Sequence, residues 1–314
     1  MIQQQIFDLA IKMGMRADLR GEGAVKKHLA RQQKKFEALS PKKQADFDKD
    51  KLANPYMDSG IWVDNGKPVK RALAGIDITP GEIMIAKTLG IDTIINHHPI
   101  GKGLAMLDDV MYMQADVLAL FGVPINIAES LLEVRISEVA RGVHSANHYD
   151  VIDAARLMGI NLMNVHTAAD NLVADFLKKV IDKKKPEYVS ELVDLVASIE
   201  EYKESAKRGA PVKLFSGSEE NHTGKIVLAE ITGGTSGSKD IYREMANAGI
   251  GTIVSMHMSE GHRKNAKEAH INVVIASHIA SDSLGMNLFL DELEQKGIEI
   301  VPCGGLIRIK RFKK

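Results

Sequence analysis

The stretch Gly90–Gly101, GIDTIINHHPIG, lies over the stretch Gly249–Gly261, GIGTIVSMHMSEG, so that His98 falls on His257. Each starts at a glycine, runs through a short β-branched apolar segment and meets a histidine. Such a run, bounded by turn residues, reads as a buried strand. The likeness continues on both sides. Upstream, ALAGIDIT (Ala72–Thr79) resembles VLAEIT (Val227–Thr232); downstream, INLMNVHTAAD (Ile160–Asp170) resembles INVVIASHIASD (Ile271–Asp282). Both downstream segments close on His-x-Ala-x-Asp. Hydrophobic periodicity alone would match the apolar positions and not the polar ones, so the pattern reads as an internal duplication. Each half carries strand, helix, strand with terminal histidine, helix, then strand with His-x-Ala-x-Asp.

This alternation predicts an α/β protein with largely parallel, buried strands. VKRALAGIDI, IDTII and INLMNV read as strands, and VIDAARLMG as a helix. TPGEIMIAKTLG reads as a helix opened by a capping box of Thr79 and Glu82, with Pro80 in its first turn. Two similar halves would bring their strand ends together, and the cleft between them is a favoured place for a site. The expected division is a helical N-terminal extension over 1–57, a first α/β half over 58–181, a helical connector over 182–222 and a second α/β half over 223–314. The extension and the connector are the two heavily charged stretches. Acidic residues interleave with basic ones in both, which reads as solvated helix faces rather than a nucleic-acid patch.

Composition narrows the setting. The 314 residues carry 41 basic and 41 acidic side chains, so no net field draws the chain to nucleic acid or membrane. A single cysteine, Cys303, excludes an internal disulfide and agrees with a reducing compartment. The opening MIQQQIFDLAIKMG lacks the pattern of a signal peptide, and no run of 18 apolar residues follows, so the expected location is the cytoplasm.

Six residues gather by logic at the ends of the strands: His97, His98, His166, Asp170, His278 and Asp282. One of them is expected to support the others rather than bind. Imidazole nitrogens with carboxylate oxygens and no thiolate suit Zn, Mn, Fe, Co or Ni. In a continuing strand His97 and His98 would point to opposite faces. They can serve one site only where the strand ends, as Pro99 makes it do, or by addressing two ions. If the chain turns helical after Ser277, His278 and Asp282 share one face at i and i+4. Singly, each histidine reads as a polar residue closing a strand and each aspartate as a helix cap. Jointly, a His-His pair and a duplicated His-x-Ala-x-Asp favour a metal site.

Two further features carry chemistry. In LAEITGGTSGSKDIYREM, Gly233, Gly234 and Gly237 join a strand to a helix, and exposed amides in such a turn can hold a phosphate or carboxylate; a plain glycine turn is the competing reading. Glu260 and His262 follow the second histidine-ended strand and are candidates for acid or base, against a solvated loop.

IDTIINHHPIG after GIDIT, then HTAADN, ITGGTSGS and SHIASDS together resemble the NGG-one-interacting factor three-like family, also called GTP cyclohydrolase I type 2 homologues. The resemblance runs from about Ala72 to Leu290. It implies two similar α/β domains enclosing a dinuclear metal centre, and ring-like homohexamers. It also implies His97 and His98 as ligands from the first motif, Asp170 from the second, and His278 with Asp282 from the last. Asp282 stands where that family usually has glutamate, so one or two ions per subunit remain open. The long N-terminal extension and the Lys183–Arg208 connector also depart from the family pattern.

These readings lead to a metal-dependent hydrolase acting on a nucleotide or other phosphate- or amide-type small molecule. The alternative is a non-catalytic metal-binding adaptor or regulator. A structural site saturates its ligands whereas a catalytic one keeps an open position, which separates the two.

Overall fold

A computed structural model describes residues 1–312 of the chain. Nine strands form two sheets: β1 (Gly60–Val63), β2 (Arg71–Gly75), β3 (Thr93–Asn96), β4 (Asn161–Asn164), β5 (Lys213–Ser216), β6 (Lys225–Glu230), β7 (Ile250–Ser255), β8 (Asn272–Ile275) and β9 (Glu299–Pro302). The first sheet has the order β1-β4-β3-β2-β9 and the second β5-β8-β7-β6. In the first, β2, β3 and β4 run parallel with β1 antiparallel at the edge. In the second, β6, β7 and β8 run parallel with β5 antiparallel at the edge. The duplication read from the sequence is therefore a duplication of sheet topology. The fold is α/β with two similar halves, and its central strands are buried on both faces, as parallel strands must be.

The halves are interlocked by three segments. Between β3 and β4 lies a helical excursion ending in the long helix Ile125–His144. The excursion's apolar side, including Leu118 of the preceding helix Met113–Leu120 and Leu132 and Ile136 of the long helix, packs with Val227, Ile253 and Val273 of the second sheet rather than with the first. The stretch expected to be a purely helical connector contains β5, which pairs with β8, while its helices Val189–Ala197 and Glu200–Lys207 bury Leu192, Val196 and Tyr202 against Val254 and Val274. Last, β9 returns to the first sheet and lies parallel to β2.

The first helix, Gln3–Ala17, is not a solvated appendage: Ile6, Phe7, Ala10 and Ile11 belong to the same core as Ala168, Met286 and Phe289. Gly14 allows this, because a Cβ there would lie 2.7 Å from Ala168 Cα. The helix after the first sheet's β2, Pro80–Thr88, opens with the expected capping box; the Thr79 amide donates to Glu82 Oε2 at 2.8 Å.

The helices Thr167–Lys184 and His278–Gln295, which follow β4 and β8, cross closely where Gly285 meets Ala169. Their first turns carry the two His-x-Ala-x-Asp motifs. The crossing sets those motifs side by side.

Candidate metal centre

His97 is the residue after β3 and has no solvent exposure. Its Nδ1–H donates to the Val165 carbonyl at 2.9 Å, which leaves Nε2 as the free ring nitrogen. That atom points at Asp170 Oδ1, 3.4 Å away, and at Asp282 Oδ1, 3.5 Å away. Asp282 Oδ2 lies 3.3 Å from His98 Nε2 and 3.4 Å from His278 Nε2. His166 Nε2 is 3.8 Å from Asp170 Oδ2. All five ligands expected from the sequence thus converge, with His166 as a sixth.

Four atoms at the centre of this cluster are buried without a hydrogen-bond partner: His97 Nε2, Asp170 Oδ1, and both carboxylate oxygens of Asp282. Orphaned buried acceptors each cost on the order of 1–3 kcal/mol, and more when charged. A cation among them removes that cost. The donor set therefore fits a divalent ion, and the buried His/Asp groups are able to hold one. They fall into two overlapping groups, His97/His98/Asp282 and His97/His166/Asp170, each with ligand atoms within 4.8 Å of one another.

The remaining ring nitrogens are oriented by carboxylates. His166 Nδ1–H donates to Asp58 at 2.7 Å, and Asp58 also accepts from Thr167 Oγ1 at 2.6 Å. His98 Nδ1–H donates to Asp77 at 2.7 Å. A carboxylate behind an imidazole fixes its tautomer and raises its basicity. Asp77→Asn and Asp58→Asn are each expected to lower metal affinity by about 10–100-fold, measured by competition with a chromophoric chelator. Helix entry adds a further constraint. Ser277, just before His278, sits at φ 27°, a left-handed conformation that L-residues avoid and that recurs at functional sites.

The electrostatics follow from burial. Desolvation alone would push the Asp282 carboxyl up, but the imidazoles of His97, His98 and His278 outweigh it and hold it below the ordinary range. For His98, burial works downward, yet Asp282 and Asp77 raise it to about 9. Burial opposes the charged form of His97 too, and Asp282 and Asp170 carry it well above the ordinary value. Because the folded pKa of His98 is raised from 6.5 to about 9, its attraction to Asp282 stabilises the metal-free fold fully below pH 6.5 and is lost as pH rises through about 9. Metal binding needs the deprotonated ring. Apparent affinity is expected to rise across the same window, with proton release on loading at pH 7, read by a pH indicator in weak buffer.

The other sequence candidates lie elsewhere. Glu260, the first residue of the helix Glu260–Glu268, is exposed and paired with Arg263 at 2.6 Å. His262 has both ring nitrogens engaged, Nδ1 with Ser259 Oγ at 2.6 Å and Nε2 with the Gly237 carbonyl at 3.1 Å. Among the described residues no hydrogen bond or ion pair joins either to the His/Asp cluster. Helix N-capping by Ser259 turns Glu260 to solvent and aims His262 at the glycine turn. That turn is closed by packing: a Cβ on Gly233 or Gly234 would lie 2.9 Å from Gln114 Cγ or Val110 Cγ2, and Gln114 Nε2 donates to the Gly233 and Thr235 carbonyls at 2.7 Å each. Its glycines thus serve close approach. The turn still reaches the cluster at one point, where Ser236 Oγ hydrogen-bonds His257 Nδ1 at 2.7 Å and the His257 ring lies edge-on to His278, centroids 5.2 Å apart.

Asp58, Asp77 and Asn164 are the neighbours of the cluster that motif reading missed, and His257 aligns with His98 but carries no role in that reading. Asp77 was within reach. Parallel pairing of Gly75 with Asn96 puts the residues two beyond each strand end next to one another.

No protein-family model and no curated protein matches the sequence. Among solved structures, a NIF3 superfamily protein from Sphaerobacter thermophilus matches 98% of this chain and 100% of its own, with TM-score 0.76 and 22% identity. The chain has the NIF3-superfamily fold. Reduced HcgD from Methanocaldococcus jannaschii is similar over 84% of this chain and 97% of its own (TM-score 0.49, 19% identity). A Bacillus cereus protein related to NIF3 is similar over 82% and 92% (TM-score 0.45, 11% identity). The NIF3-superfamily fold was expected from the HHP and HTAAD strings, and the structure places both strings at one centre. No helix among the described residues is long and apolar enough to cross a membrane.

Proposed function

We propose that this protein is a divalent-metal-dependent hydrolase of small nucleotides or other phosphate- or amide-type molecules, acting at the His/Asp centre. The observation that carries the reading is the set of four orphaned buried ligand atoms opening toward partly exposed imidazoles. His97, Asp170 and Asp282 are buried, whereas the side chains of His98 and His278 are 24% and 39% exposed. A centre that only stabilises structure has no need of an open side.

The neutral His97 ring has one lone pair on Nε2, so it serves one ion at a time. His97, His166 and Asp170 would hold one position; His98, His278 and Asp282 would hold the other. Both carboxylate oxygens of Asp282 lack hydrogen-bond partners, so its short side chain can address both positions. When bound, the ions supply Lewis acidity and lower the pKa of a water toward ~7. His98 and His278 border the partly exposed side from which a substrate oxygen would enter. His257 and Ser236, hydrogen-bonded beside His278, can donate to a substrate oxygen or accept its proton. Asp58 and Asp77 keep the His166 and His98 rings in the tautomer whose Nε2 faces the cluster.

The test is elemental analysis of the purified chain, then reconstitution with Zn, Mn, Fe, Co or Ni and a screen of nucleotides, phosphoesters and amides. The expected result is turnover that depends on the metal and is lost in His97→Ala. Tight stoichiometric metal with no turnover on any class would replace the hydrolase with the adaptor reading. Size-exclusion chromatography with light scattering tests the accompanying proposal of a homohexamer.

A further inference from the structure

A cavity of about 480 Å³ is lined by the first helix, the Met57–Ser59 segment and β1, and by none of the His/Asp cluster. This is within the range of ligand pockets. Its apolar walls are Phe7, Ile11 and Met15 from the helix, Met57, and Ile61 and Trp62 from β1. Trp62 is the only tryptophan in the chain.

The Trp62 ring is held in place. A Cβ on Gly60 would lie 2.5 Å from it and one on Gly103 3.0 Å, so the ring packs closely against both glycines. Its Nε1–H donates to Asn164 Oδ1 at 2.9 Å. Gly103 ends the HHPIGKG string, which explains the glycine spacing there that the metal motif does not use. A fixed indole in a lining that also includes the flexible Met15 and Met57 suits a planar ring.

The rim fixes the charge. Three carboxylates, Asp8, Glu22 and Asp50, line the cavity beside two ammonium groups, Lys12 and Lys102. Lys102 is already held by Asp48 at 2.7 Å and Asp50 at 3.1 Å. Glu22 is paired with Lys26 at 2.8 Å, whereas among the described residues Asp8 accepts only from the Gln4 side chain, at 2.8 Å. An aromatic face beside an excess of acceptors favours a cation.

We propose that this cavity is a second ligand site, for a planar aromatic cation bearing N–H donors, and that it shares a wall with the His/Asp centre. The wall is specific. Ser59 lines the cavity and its Oγ accepts the His166 amide at 2.9 Å, while its neighbour Asp58 holds the His166 ring. Asn164, the partner of Trp62, donates to the Asp58 carbonyl at 2.7 Å and to the His97 carbonyl at 3.3 Å. Occupancy therefore acts on the residues that fix both buried histidines.

The probe is 4-aminoquinoline, cationic at neutral pH, titrated into the full chain by calorimetry and by Trp62 emission. Naphthalene and naphthalene-2-sulfonate serve as neutral and anionic controls. The expected result is one saturable site that shifts Trp62 emission and binds the cation about tenfold more tightly than the sulfonate. Asp8→Lys, at an exposed position that leaves the fold alone, is expected to weaken the cation about tenfold; Met15→Trp is expected to block all three probes. Cobalt affinity of the His/Asp centre is expected to change several-fold with the probe bound, and probe affinity reciprocally with cobalt. Absence of saturable binding, equal binding of the sulfonate, or binding unchanged in both variants overturns the site. Unchanged cobalt affinity overturns the shared wall. None of these readouts depends on hydrolysis.

Discussion

His97→Ala is expected to lower divalent-metal affinity by more than about 100-fold, beyond the loss expected for removing an orienting carboxylate. The reason lies in position. His97 is a ligand of the His97/His166/Asp170 position, and its Nε2 also lies within 3.5 Å of Asp282, the carboxylate that can address both positions, so its loss empties one position and leaves the shared carboxylate without its neighbour. His98→Ala removes a ligand from one position only and leaves His97, His166 and Asp170 in place. It is expected to reduce bound metal by one ion where two are present. Elemental analysis of the two variants, with circular dichroism to establish folding, separates the cases. Equal, small losses in both would sink the arrangement proposed here. Deleting the imidazole also leaves Asp170 and Asp282 facing each other without the group that offsets their charge. The metal-free variant is therefore expected to lose stability at neutral pH as well as metal.

The sequence made the strands and the ligands legible for one reason: the duplication placed the same polar residues at the same strand ends twice. Thr93–Asn96 and Ile250–Ser255 are β-branched runs closed by histidine, and a parallel sheet stacks such ends along one edge. What joins the halves was not legible. The apolar stripe on Ile125–His144 tells which face of that helix is buried, but not that it covers the second sheet rather than the first. Strand β9 is similar: the four-residue run EIVP is not among the strands read from the sequence, and nothing in it points to its partner β2, more than two hundred residues away. Asp58 was out of reach for the same reason, since it meets His166 across 108 residues of chain and belongs to no motif. The glycine turn misled in the opposite direction. Gly233 and Gly234 do sit at φ 92° and 88°, as an anion-binding turn would require, but the helical excursion packs tightly on their Cα side, Gln114 against Gly233 and Val110 against Gly234. Positive φ marks a place where only glycine fits, and packing against Gln114 satisfies that as well as a ligand would.

Gly285→Leu is expected to be the most destabilising single substitution outside the ligands, and to impair metal binding without touching a ligand. In the middle of a helix glycine is worse than alanine by about 1 kcal/mol, so a glycine kept there points to a close approach. Here a Cβ would lie 2.4 Å from the Ala169 carbonyl oxygen and 2.8 Å from Val173 Cγ2, and the first of these is backbone that cannot swing aside. Any side chain must push the helix His278–Gln295 away from Thr167–Lys184. The expected cost for leucine is about 3 kcal/mol or more, by overpacking. Asp282 lies one turn before Gly285, and Asp170 is the residue after Ala169, so the same displacement separates the two carboxylates that the cluster needs together. Gly142, in the exposed part of the helix Ile125–His144, has nothing near its missing Cβ. Gly142→Ala is accordingly expected to stabilise by up to about 1 kcal/mol and leave metal affinity unchanged. Chemical denaturation with and without bound metal reads both effects. A Gly285→Leu variant as stable and as tight for metal as the unmodified chain would show that the helix crossing does not set the distance between Asp170 and Asp282.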